Sequence, residues 1–224
     1  MAPVAHAAQL ASAALALALL GCGDGRAHVD PLASVVAVTA SGCRPYATNA
    51  VGTVVGDGLV VTVAHAVAGE REIMVRTADD GELPAVLAAI DPAMDVAVLR
   101  VDGLDADGLE IGSYDDGDVV SLLGVHDGMA DHRPVAVRRA VTIRTTDIYR
   151  EGEHLRPGLD VEASVRSGDS GGGLVGADGD LLGMVWAASR EADDRAWAVT
   201  SGALAPLVAA AESGQPADTA ACSR

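Results

Sequence analysis

From Ser34 onward the chain is broken into short runs of β-branched and aliphatic residues, each bounded by Gly, Asp or Pro. Such runs are too short to be amphipathic helices and read as strands at 35–39, 49–55, 59–63, 72–77, 86–90, 96–101, 119–125, 135–148, 173–175, 181–187 and 196–200. Asp57-Gly58, Asp80-Gly81, Asp127-Gly128 and Asp178-Gly179 supply the turns between them. Regular strands with turn signals give an all-β barrel or sandwich. Aromatic residues are 2% of the chain and Phe is absent, so the core must be built from Val, Leu, Ile and Ala.

The acidic, strand-poor stretch 103–118 (GLDADGLEIGSYDDGD) divides the folded region into halves of similar size. It reads as a connector between two β-subdomains, 34–112 and 113–224, the second ending in a helix near 201–212. Asp105, Asp107 and Glu110 lack the spacing of a calcium loop and read as a solvated face. No metal site or cofactor is expected. A net charge of −17 would repel nucleic acid and anionic lipid headgroups, which disfavours both as partners.

Residues 10–20 (LASAALALALL) are apolar but cover about half of what a bilayer-spanning helix needs, and fit a signal-peptide core. They lead into Leu19-Leu20-Gly21-Cys22, which resembles a bacterial lipobox. The resemblance implies a signal peptide over 1–21, lipid modification of Cys22 and a tether over 22–33. The expected location is outside the cytoplasm, on the outer face of the cytoplasmic membrane or in the periplasm, with membrane contact only through the lipid. Residues 1–9 carry no Lys or Arg, unlike a usual secretory leader. With Cys22 set aside, Cys43 and Cys222 remain as an even pair at opposite ends of the folded region, and export predicts a disulfide between them rather than two free thiols.

Three strings carry reactive groups: Thr62-Val63-Ala64-His65, Asp91-Pro92-Ala93-Met94-Asp95, and Ser167-Gly168-Asp169-Ser170-Gly171-Gly172. Together they hold what acyl transfer needs: a hydroxyl, an imidazole to deprotonate it, and a carboxylate to fix the imidazole tautomer. Glycines around Ser170 would let the amides of Gly168 and Ser170 face a developing oxyanion. The order His, Asp, Ser excludes the α/β-hydrolase elbow that Gly168-Asp169-Ser170-Gly171-Gly172 formally matches, because no His lies beyond His154. His126, His132 and His154 read as surface residues, and Trp186 and Trp197 as packing.

These strings resemble the chymotrypsin-fold serine proteases, and among them the bacterial HtrA-like group. The similarity extends from Val35 to Val208, through Gly179-Asp180-Leu181-Leu182-Gly183-Met184 and Ala196-Trp197-Ala198-Val199-Thr200. It implies two packed six-stranded antiparallel barrels, with His65 and Asp95 from the first and Ser170 from the second. It further implies an endopeptidase acting on protein or peptide substrates through an acyl-enzyme. The S1 pocket would lie at Ser164, Ala187, Ala188 and Val199, which favours a small or medium aliphatic P1 side chain over Arg or Lys. The alternatives are a non-catalytic scaffold on the same fold and a hydrolase of small esters. The segment after Ser170 is too short for the PDZ domain of many HtrA-like proteins, so PDZ-driven substrate capture is not carried over. Oligomeric state is not legible in the sequence.

Overall fold

The structure is a computed structural model that describes residues 29–77, 81–214, 217 and 221–223. The expected signal peptide and Cys22 lie outside the described residues. Among the described residues twelve strands form two closed antiparallel barrels. The first contains β1 (Val35–Ser41), β2 (Thr48–Gly56), β3 (Leu59–Val63), β4 (Glu72–Arg76), β5 (Glu82–Asp91) and β6 (Val96–Val101), in the order β1-β2-β3-β6-β5-β4. The second contains β7 (Val120–His126), β8 (Met129–Thr145), β9 (His154–Glu162), β10 (Gly173–Gly176), β11 (Leu181–Ala188) and β12 (Arg195–Thr200), in the order β10-β11-β12-β9-β8-β7. A one-turn helix α1 (Ala64–Val67) follows β3, and α2 (Ser201–Glu212) follows β12.

Burial explains the order. All five residues of β3 (LVVTV) are buried, as are the five hydrophobic residues Val96, Ala97, Val98, Leu99 and Val101 of its neighbour β6. Continuous apolar runs of this kind are covered on both faces. The second cover comes from the other half of the chain: Leu123, Val175, Leu181, Met184 and Val199 of the second barrel join the same core, with Leu204, Val208 and Ala211 of α2. Arg100 of β6 also donates to the carbonyl of Ala211, at 2.7 Å. The connector is not simply solvated, because Leu109 is buried and donates to Val54 O, and Ser34 Oγ donates to Asp107 O.

The strand missed in the sequence is β9. Its residues HLRPGLDVE place Pro157, Gly158, Arg156 and Asp160 inside a strand, all of which argue against one. In the structure Arg156 and Asp160 are both buried, Arg156 donating to Ala93 O and Asp160 accepting from Arg195, so polar residues occupy positions where an apolar pattern would be sought. The expected disulfide is present and joins Cys43 to Cys222.

Candidate active site

The pairing of β3 with β6 brings the first two reactive groups together. Val63 lies opposite Val96, so the chain just after β3 meets the chain just before β6, and those positions are Ala64-His65 and Asp95. Asp95 then serves the α1 turn three times. Its carbonyl accepts from Ala64 N at 3.2 Å, its Oδ1 accepts from His65 N at 2.8 Å, and its Oδ2 lies 2.8 Å from His65 Nδ1. Val63 has no capping side chain, so the Asp95 carboxylate caps the helix that carries His65. A carboxylate oxygen can only accept, which puts the proton on Nδ1 and leaves Nε2 as the basic nitrogen. Asp95 is 4% exposed. It adopts φ +58°, a left-handed conformation that a non-glycine residue holds only when its surroundings enforce it. The enforcement includes Asp91, whose Oδ1 accepts from Ala93 N and Met94 N at 2.9 and 3.0 Å.

Ser170 lies on the loop before β10 of the second barrel, and that loop docks on the first barrel. The Ser170 carbonyl accepts from Val51 N of β2 at 2.8 Å, and Thr48, at the start of the same strand, donates to Ala66 O in α1 at 2.7 Å. One strand thus touches both the Ser170 loop and the helix bearing His65. A side chain at Gly171 would sit 1.9 Å from Val51 O, so only glycine allows the loop to dock there. Around Ser170 the amides of Asp169, Gly171 and Gly172 are taken by Arg166 O, Val185 O and Asp169 O. Those of Gly168, at φ +101°, and Ser170 have no acceptor among the described residues. Two free amides beside a serine hydroxyl can bind an oxyanion.

Asp169, between them, is 3% exposed and its carboxylate is fully engaged. Oδ2 accepts from Arg166 N and from Arg133 Nη2, both at 2.9 Å, and Oδ1 lies 3.2 Å from His126 Nε2. His126 is half-buried at the surface rather than free there: it lies between Asp169 and Asp131, and with Arg133 it holds the loop from the β7–β8 hairpin. The sequence offered no signal for this, since neither residue lies in a motif. A cleft of about 510 Å³ opens beside them, lined by His126, Asp131, Arg133, Glu162, Ser164 and Arg166.

The four residues assigned to S1 are not drawn together equally. Ala187 and Ala188 lie at the end of β11, opposite Trp197 and Ala196. Val199 faces Met184 and is fully buried in the core, and Ser164 lines the cleft described above. No cluster that could hold a metal ion occurs among the described residues.

The profile of the trypsin-like peptidase domain matches residues 50–184. The chain is 33% identical over 175 residues to the serine protease Rv3671c of Mycobacterium tuberculosis, covering 76% of this chain and 44% of the relative. It is 34% identical over 133 residues to a probable periplasmic DegP-like serine endoprotease of Halomonas elongata, covering 57% of this chain and 27% of that one. The chain thus spans less than half the length of these curated relatives. Among solved structures, the active form of the Rv3671c protease superposes with a TM-score of 0.80 at 30% identity, covering 87% of both chains. The inactive form gives 0.69 at 29% identity, with 80% of this chain and 89% of that one covered.

Proposed function

From the membership of this chain in the trypsin-like peptidase domain family, we propose that it is an exported serine endopeptidase working through Ser170, His65 and Asp95. The observation that carries the proposal is the twofold grip of Asp95 on His65, at the ring and at the backbone. In the neutral imidazole that grip holds the proton on Nδ1, so that Nε2 is the nitrogen able to take the hydroxyl proton of Ser170. The Ser170 oxygen attacks the scissile carbonyl, and the amides of Gly168 and Ser170 take up the charge that develops on its oxygen. His65 then returns the proton to the leaving amine, and water cleaves the acyl-enzyme by the same sequence in reverse. The greater likeness to the active than to the inactive relative supports a loop already arranged for this chemistry.

Protein or peptide substrates fit the reading, and Ser164, Ala187 and Ala188 carry no charge to receive an Arg or Lys side chain. Export is supported by the apolar leader, by the Cys43–Cys222 disulfide and by the periplasmic naming of a relative. Lipid attachment at Cys22 rests on the lipobox alone. A serine-reactive peptidyl phosphonate should label Ser170 and no other residue. Ser170→Ala should fold normally, resist labelling and lose casein hydrolysis by several orders of magnitude. A folded wild-type protein that neither labels nor cleaves would establish a scaffold instead.

A further inference from the structure

Arg156 on β9 is the largest fully buried side chain among the described residues, at 2% exposure. An isolated guanidinium is costly to bury, and this one has no carboxylate in hydrogen-bond contact. Burial pushes its pKa down, while the charges of Asp95 and Asp91 pull it back up. Both of its bonded nitrogens go to one backbone oxygen: Nε and Nη2 donate to Ala93 O at 3.0 and 2.7 Å. Its other face lies 4.2 Å from the ring centroid of Trp186, which fixes the plane of the fork.

Ala93 belongs to the turn between β5 and β6 from which Asp95 projects. That turn receives a second bond from the same hairpin, since Ile148 N donates to Pro92 O at 3.2 Å. Ile148 is itself buried in the core of the first barrel, although it belongs to the β8–β9 connection of the second. The turn is thus held from within by Asp91 and from across the barrel boundary by Arg156 and Ile148.

We propose that Arg156 is a positioning residue for Asp95: it reaches from the second barrel to fix the Ala93 carbonyl, so that the Asp95–His65 pair of the first barrel is complete only when the β8–β9 hairpin is docked on it. The inference rests on the peptidase reading for its consequence in turnover. Its structural content is independent of that reading. The two barrels are then coupled at the carboxylate as well as at the serine, and a displaced hairpin would disable the base without touching Ser170.

The test uses the folded chain and two substitutions. Arg156→Met keeps the length of the side chain and removes charge and donors. Arg156→Lys keeps the charge and offers a single nitrogen to Ala93 O. The first readout is the downfield proton resonance of His65 Nδ1–H bonded to Asp95, and the second is the rate of inactivation by the phosphonate. Circular dichroism reports whether each variant is folded. Arg156→Met should lose or shift the resonance and slow inactivation about 100-fold, the scale of a misplacement near 1 Å. Arg156→Lys should recover part of both, and Arg139→Met, on the exposed face, should change neither. A folded Arg156→Met or Arg156→Lys with an unchanged resonance and inactivation within twofold of wild type would overturn the proposal. So would the failure of both to fold, which would assign Arg156 to stability alone. A wild type that shows the resonance but takes no phosphonate would defeat the peptidase reading, and Arg156 would then be judged on the resonance.

Discussion

In the first barrel His65 and Asp95 lie at the ends of strands β3 and β6, whose side chains are nearly all apolar and buried, whereas in the second barrel Ser170 sits on a loop anchored by ions. The core of the first barrel draws in α2 and parts of β7, β10, β11 and β12. What remains to the second is a cluster of eight buried residues, and the 17 residues of β8 include none that is buried. In place of apolar burial stand Arg133 with Asp169, Arg195 with both oxygens of Asp160 at 2.8 and 2.6 Å, and Arg156 on Ala93. Apolar packing is non-directional and tolerates repacking. Charged hydrogen bonds fix direction, and a loop that must aim two amides at one point needs direction.

The contrast can be broken at several places. Reducing the Cys43–Cys222 bond should have the largest effect, since it opens a loop with a sequence separation of 179. The chain-entropy relation gives about 5 kcal/mol for a loop of that size. Urea unfolding with and without reductant measures it, and an unchanged midpoint would show that the tail adds nothing to the first barrel. Leu99→Ala, at a fully buried site in that barrel, should cost about 3–5 kcal/mol by the same assay. Its kcat below the unfolding midpoint should stay within a few-fold of wild type, and a large loss would mean that packing as well as hydrogen bonding aims His65.

Arg133→Met should do the reverse. It leaves the apolar core intact but removes the guanidinium partner of Asp169, and kcat/KM should fall about 100-fold through misplacement of the Gly168 and Ser170 amides. A peptidyl boronate, which needs those amides, should weaken in parallel, and undiminished boronate affinity would release Arg133 from this role.

A smaller effect is expected from acid. Hydrogen bonds from Arg195 hold the Asp160 carboxyl below its ordinary value of 3.8, against the opposing push of burial, with the Arg195, Arg139 and Arg138 charges adding to them. The folded value is the lower one, so the contribution of Asp160 is complete above the ordinary value and is lost as pH falls through the folded one. Stability measured from pH 5 down to pH 2 should decline less steeply in Asp160→Asn than in wild type. At the bottom of the scale, Arg144→Ala should change stability by less than about 0.5 kcal/mol, because Arg144 and its partner Glu153 are both largely exposed.

Much of the fold was legible because local chemistry and tertiary role agree in it. The turn Asp127-Gly128 takes φ +51° and +80° as an Asp-Gly hairpin should, and β3 reads as a buried run because it is one. The order of His65, Asp95 and Ser170 along the chain was likewise visible, as was the pairing of Cys43 with Cys222. What stayed hidden depends on contacts between residues distant in sequence. Strand β9 escaped because its polar residues find partners in β8, β12 and the Asp91–Asp95 turn. Arg133 and His126 gave no sign of their hold on Asp169, 36 and 43 positions further on. Apart from β9, the amino-acid order alone determined which segments become strands, where they turn and which groups can react, because backbone preference and side-chain chemistry are local properties. Only the tertiary structure decided which cation meets which carboxylate and how the reactive groups are aimed. Those outcomes depend on register and barrel closure, which bring distant residues within hydrogen-bonding range.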